Sequence, residues 1–152
     1  MPTTPVAMDR GGEPVITAVD SSVLLDVLLD DPKHGSGSLA SLRKARGEGA
    51  LVACPVVWAE VCAAGPGTPK LRDRLTAAGI SFDPFDEACA RKAGELWAAY
   101  RAAGGKRERL IPDFLVGAHA LVKGARLLSR DRGFFRVYFK GLTVVEPGSG
   151  KT

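Results

Sequence analysis

Cysteine and histidine are scarce in this chain, and the shortage removes several chemistries. Its three cysteines, Cys54, Cys62 and Cys89, are odd in number and form no C-x-x-C pair. Each lies in an apolar or helical context, so buried free thiols in a reducing compartment are expected rather than a disulfide framework. The two histidines, His34 and His119, are far apart, and His119 falls on a different side of its helix from Asp113. Neither a zinc site nor a histidine-dependent triad is therefore expected. No window approaches the run of about 20 apolar residues that spans a membrane. The opening stretch "MPTTPVAMDRGGEP" carries no apolar signal core, so a cytoplasmic protein is expected.

What is present suits one compact domain. The chain has 152 residues, 45% hydrophobic and 25% charged, enough to build a real core. Residues 1–14 read as a flexible lead-in and 147–152 as a flexible tail, with the domain between them at 15–146. The final "PGSGKT" resembles part of a phosphate-binding loop, but no helix follows it to complete the motif. The net charge of +4 and pI near 9.1 permit a polyanionic partner without requiring one. The basic residues cluster in "RKAR" (43–46), "KRER" (106–109) and "RDRGFFR" (130–136).

Strand and helix patterns alternate. "VITAVD" (15–20) predicts a strand, and 23–29 a helix whose Ser22, Asp26 and Asp30 form a solvent-facing polar stripe. A helix over 38–46, a strand at "ALVA" (50–53) and a helix "PVVWAEVCAA" opened by Pro55 follow. Next come a helix over 68–78, a strand "ISFDP" (80–84) and a long helix from its cap Asp86 to Ala103. Pro112 opens another helix, and "RLLS" (126–129) and "LTVV" (142–145) are the last strands. Such alternation predicts a mostly parallel sheet covered on both faces.

Ligands of such sheets bind outside the carboxyl ends of the strands, and the acids there carry the argument. Asp20 ends the first strand, Asp131 follows "RLLS", and Asp113 stands in "ERLIPDFLVGAHAL" (108–121). Apart from His119, Asp113 is the only ionisable group between Leu110 and Leu121. Two readings of Asp113 stand. In the first turn of a helix its charge is favoured by unpaired N–H groups and the dipole; alternatively it is a metal ligand or catalytic acid. Asp131, between Arg130 and Arg132, could equally be a turn residue with local ion pairs. Glu60 has Val56, Val57, Ala63 and Ala64 as same-face neighbours and no helical ion-pair partner. A buried cationic side chain from elsewhere would satisfy it, and so would a bound cation. Four carboxylates repel one another unless a cation sits among them. An all-oxygen set suits Mg²⁺ or Mn²⁺, which serve phosphodiester hydrolysis. The basic clusters beside Asp113 and Asp131 would flank such a centre with positive charge.

The motifs "VDSSVLLDVL", "WAEV", "RLIPDFLVGAHAL" and "LLSRDRGFF", in that order over about residues 16–146, resemble the successive acidic motifs of PIN-domain ribonucleases. More narrowly, they are similar to VapC-like toxins of bacterial toxin–antitoxin pairs. The resemblance implies a Rossmann-like three-layer α/β/α sandwich and a Mg²⁺-dependent endoribonuclease. It carries metal and catalytic roles onto Asp20, Glu60, Asp113 and Asp131. Ser22 matches the usual Ser or Thr two positions after the first acid, implying a hydrogen bond to that carboxylate; with Arg107, Arg109 and Arg132 it would contact substrate. Gly133 stands where some relatives carry another acid, which argues against a fully occupied second metal site. The implied partners are a transfer or ribosomal RNA substrate, a small antitoxin and a second copy of the chain. A dehalogenase-type phosphatase would need an acid at position 22, where Ser22 stands, and a receiver domain would need paired acids that "VDSS" lacks. A PIN-like fold acting only as a protein-interaction module is the remaining alternative.

Overall fold

The computed structural model describes residues 15–64, 70–106 and 111–148. The lead-in 1–14, residues 149–152 of the tail, and both Arg107 and Arg109 lie outside the described residues.

β1 (Val15–Val19) is a β-branched run whose last three residues are buried. α1 (Ser21–Leu28) follows at once, then α2 (Gly35–Glu48), β2 (Gly49–Ala53), α3 (Pro55–Ala64) and α4 (Leu71–Ala77). β3 (Ile80–Phe82), α5 (Glu87–Ala102), α6 (Pro112–Val122), β4 (Arg126–Leu128), α7 (Arg132–Tyr138) and β5 (Val144–Val145) complete the order. The strands pair in the order β3-β2-β1-β4-β5, every pairing parallel. With helices flanking the sheet this is a three-layer α/β/α fold, as the alternation predicts. Strand order reverses at β1: its chain passes to β2 on one side, while β4 pairs with it on the other. The carboxyl ends of β1 and β4 thus lie together at the switch point, where open α/β sheets bind ligands.

Pro112 at the first position and Asp86 as a true N-cap fix the starts of α6 and α5; Asp86 Oδ1 accepts from the Cys89 N–H at 2.9 Å. Phe114, fully buried, packs against Trp97, Tyr100, Phe134, Tyr138 and Phe139 with ring centroids 5.4–5.9 Å away. This aromatic cluster clamps α6 between α5 and α7. Gly117 is buried one turn below Phe114, and a Cβ there would stand 2.5 Å from Phe139 Cε1. Only a glycine lets that ring come so close.

Three expectations need correction. α7 is a helix where the sequence shows only the basic cluster "RDRGFFR", because Gly133 and the dense positive charge mask the helical spacing of Phe134, Phe135, Tyr138 and Phe139. Phe135 and Phe139 are in fact core residues, at most 1% exposed. Cys62 is exposed, not buried, while Cys54 and Cys89 are buried free thiols as expected. Asp26, expected in solvent, is 3% exposed. It accepts hydrogen bonds from Ser38 Oγ at 2.6 Å and from Arg130 Nε and Nη2 at 2.8 and 3.0 Å. α2 covers that side of α1, so the polar stripe splits: Asp30 is exposed, Ser22 half-buried and Asp26 enclosed. Among the described residues, no helix is long and apolar enough to cross a membrane.

Candidate metal centre

The switch point collects the acids. Asp20 follows β1 and caps α1, its Oδ1 accepting from the Ser21 N–H at 2.8 Å. Its Oδ2 accepts from Ser129 Oγ at 2.7 Å, and its own N–H donates to the Leu128 carbonyl at 3.0 Å. Ser129, fully buried at the end of β4, also accepts from the Asp131 N–H at 3.0 Å. One hydroxyl therefore ties the ends of β1 and β4, fixing the spacing of two acids. Glu60 reaches the same place from α3, its Oε1 accepting from Ser21 Oγ at 3.0 Å. Asp113 arrives in the first turn of α6, and Asp131 at the start of α7 without capping it through its side chain.

Electrostatics links all four. Burial pushes the Asp113 carboxyl up to about 6, and the charges of Asp20, Asp131 and Glu60 push it the same way. Burial also raises Asp20, against the Ser129 and Ser21 hydrogen bonds, with Asp131 repulsion adding to the rise and Arg130 opposing it. The helix-start reading of Asp113 accounts for its position but not for its three acidic neighbours. The ion-pair reading of Asp131 also fails, since Arg130 is bound to Asp26 and Arg132 lies 3.8 Å from Glu146.

Asp20, Ser21, Ser22, Asp113, Arg130 and Asp131 line a pocket of about 340 Å³. Glu60 is not part of its wall but touches it through Ser21. Among the described residues, no three His, Cys, Asp or Glu side chains are arranged to close on a metal ion. The acids ring an open pocket rather than forming a cage. An all-oxygen donor set with room for water fits a hard divalent cation that keeps part of its hydration shell. The mutual repulsion recorded in the raised Asp113 is the second sign of fit, because a cation would relieve it.

Other predicted residues fare differently. Ser22 lines the pocket, but its Oγ is buried without a hydrogen-bond partner among the described residues and does not bond Asp20. The Ser21 N–H and Ser129 hydroxyl take that role, because the turn into α1 points the first amide, not the second hydroxyl, at the carboxylate. Arg132 does not line the pocket; among the described residues the cation that does is Arg130. Ala63 and Ala64 beside Glu60 are exposed, so only the Val57 side of its helix face is core. His119 is buried away from the acids with Nε2 2.6 Å from Asp83 Oδ2. Burial pushes the Cys54 and Cys89 thiols up, so neither is an activated nucleophile. Sequence reasoning missed Ser129 and Arg130, although both lie within the quoted motif "LLSRDRGFF"; a short polar residue at a strand's carboxyl end was the available signal.

The shift at Asp113 sets a pH dependence. A carboxyl raised when folded contributes stability below its unfolded value near 3.8, lost as pH rises through about 6. In metal-free buffer, Asp113→Asn should track the parent's unfolding free energy near pH 4 and exceed it above pH 6. The gap should be on the order of 1–2 kcal/mol, since solvent screens a half-buried group. Parallel pH profiles from denaturant titrations would show that Asp113 is not strained by its neighbours.

Solved structures share the fold. VapBC2 from Rickettsia felis, solved bound to a DNA fragment from its promoter, superposes with a TM-score of 0.66 at 17% identity, covering 88% of this chain and 99% of that one. A toxin–antitoxin complex from Klebsiella pneumoniae gives 0.61 at 18% identity, covering 85% and 95%. VapBC-5 from Mycobacterium tuberculosis, of the VapBC family of toxin–antitoxin systems, gives 0.54 at 18%, covering 88% and 98%. No curated protein matches the chain significantly. The PIN domain family matches residues 17–140, a span that takes in Asp20, Glu60, Asp113 and Asp131, and the chain belongs to that family.

Proposed function

We propose that this PIN-domain protein is a Mg²⁺-dependent endoribonuclease, with Mn²⁺ able to substitute, acting as the toxin of a toxin–antitoxin pair. The observation that carries the reading is the convergence of Asp20, Glu60, Asp113 and Asp131 at the sheet's switch point, with Asp113 pushed to about 6 by burial and the other three. The toxin–antitoxin complexes among its structural neighbours favour an antitoxin partner, and the basic pI of 9.1 favours a polyanionic substrate. A transfer or ribosomal RNA substrate, a cytoplasmic location and a homodimer complete the proposal.

Asp20, Glu60, Asp113 and Asp131 would hold the metal. When bound, it supplies a water of lowered pKa and neutralises charge on the phosphodiester. The chain's own residues do the rest. Ser129 and the Ser21 N–H keep Asp20 oriented and favour its charged form against the burial that raises it. Ser21 Oγ steers Glu60 toward the pocket. Asp113, brought to the pocket wall by the first turn of α6, stands where its carboxylate can orient an attacking water.

Cleavage of total RNA with Mg²⁺, against an EDTA control, tests the reading; no metal-dependent cleavage by folded protein defeats it and leaves the interaction-module alternative. Metal should also stabilise the fold without RNA. A ligand that binds only the folded chain adds about 2.7 kcal/mol at a hundredfold excess over its dissociation constant. Mg²⁺ should therefore raise the parent's Tm, and Asp113→Asn should blunt the rise. Equal stabilisation of both proteins would place the metal elsewhere.

A further inference from the structure

The acidic pocket continues into a second one. Ser21, Ser22 and Arg130 wall both, and beyond them the second pocket is lined by Leu25, Leu29, Pro32 and the acids Asp26 and Asp31, with a volume near 580 Å³. Leu29 is 55% exposed there, an apolar side chain left in solvent beside a charged centre. Arg130 stands at the junction and, among the described residues, is the only cationic one in the acidic pocket's wall. Its charge acts on Asp20 on one side and Asp31 on the other.

Arg130 is held from behind. Asp26 grips Nε and Nη2 in a two-point bond at 2.8 and 3.0 Å, and Ser38 Oγ holds Asp26 at 2.6 Å. The pair is asymmetric: the Asp26 side chain is 3% exposed and that of Arg130 37%. The exposed partner of the pair is therefore Arg130. The two-point bond occupies two of five N–H donors and leaves three with their plane fixed. A planar fork fixed in this way suits a phosphate oxygen pair, and loses little freedom on binding one.

We propose that Arg130 is the substrate-phosphate clamp of this site, positioned by Asp26 and Ser38. It takes the RNA phosphodiester next to the acidic pocket, and the adjoining nucleoside lies along Leu25 and Leu29. The inference rests on the ribonuclease reading, and it assigns to Asp26 a positioning role that its place on a helical polar stripe did not suggest.

Fluorescence anisotropy with a short mixed-sequence single-stranded RNA, in Ca²⁺ and over a range of KCl, tests it. Arg130→Gln should weaken binding roughly tenfold or more. It should also flatten the dependence of log affinity on log salt by about 0.7, the share of one phosphate contact on a single strand. Arg130→Lys should keep the slope. Asp26→Asn should keep the slope but lower kcat in Mg²⁺, since the cation remains while its anchor weakens. If Arg130→Gln does not melt cooperatively, Asp26→Asn with Arg130→Gln leaves no buried charge unpaired and should show the same loss of slope. Parental affinity and slope in either Arg130→Gln protein would overturn the clamp, leaving the pair as a tie between α1 and the β4–α7 turn. An equal loss of slope in Lys92→Gln, on α5, would also overturn it. Parental kcat in Asp26→Asn would remove the positioning role. A parent that binds no RNA would defeat the ribonuclease reading itself, and the clamp with it.

Discussion

Asp113→Asn is expected to lose RNA cleavage by about a thousandfold while folding as well as the parent. Metal at a phosphodiester contributes several kcal/mol of charge stabilisation, and losing about 4 kcal/mol of it slows the reaction by three powers of ten. The amide keeps the size of the side chain and its place in the first turn of α6. It gives up only the charge that Asp20, Asp131 and Glu60 repel. Most substitutions that abolish function at a buried polar site also destabilise; this one should separate the two effects. Asp20→Asn should lose cleavage similarly, but without the gain in apo stability, because an amide has one acceptor oxygen and cannot take both the Ser21 N–H and the Ser129 hydroxyl. Cleavage rates in Mg²⁺ and chemical denaturation in EDTA, measured on the same preparations, decide it. An Asp113→Asn protein that cleaves within tenfold of the parent would remove Asp113 from the centre. One that is markedly less stable without metal would make it a helix-start residue.

Phe114→Ala should be the most destabilising single change next to the site, at about 3–5 kcal/mol. The ring is fully buried and meets aromatic partners on α5 and α7, so truncation leaves a cavity walled by large, rigid side chains that cannot collapse into it. At about 2–4 °C per kcal/mol for a chain of this size, Tm should fall by roughly 10 °C. The residue follows Asp113 directly, so loosening it also frees the first turn of α6. Cleavage should fall even well below the variant's own melting temperature. A Tm loss under about 3 °C would mean that the neighbouring rings repack, and that they do not anchor the carboxylate.

The division between sequence and tertiary structure is visible residue by residue. Local chemistry sufficed where one element decides the outcome. Pro55 and Pro112 open their helices by a fixed φ and a missing N–H, and Asp86 caps α5 through its own side chain. The alternation of β-branched runs with helical periods determined a parallel α/β sheet, and the order of four acidic motifs pointed to the PIN family. Boundaries shifted by a few residues where pairing trims them, as at β3 and β5, which keep only Ile80–Phe82 and Val144–Val145.

Contacts across the chain could not be read this way. Asp26 lies on the polar side of α1 by periodicity, and only the arrival of Ser38 and Arg130, the latter 104 positions away, makes that side an enclosed ion pair. Ser129 binds Asp20 across 109 positions, so its hydroxyl outcompetes the nearer Ser22 that sequence spacing favours. α7 stays hidden in the sequence because Gly133 and the dense positive charge mask the spacing of its rings, which only the cluster around Phe114 brings to use. Residue type and helical or strand period are short-range properties, and they determined the elements and the candidate acids. Which carboxylate is repelled, which is paired and which arginine faces the pocket depend on distances set when β1 and β4 lie side by side, and those the tertiary structure alone decided.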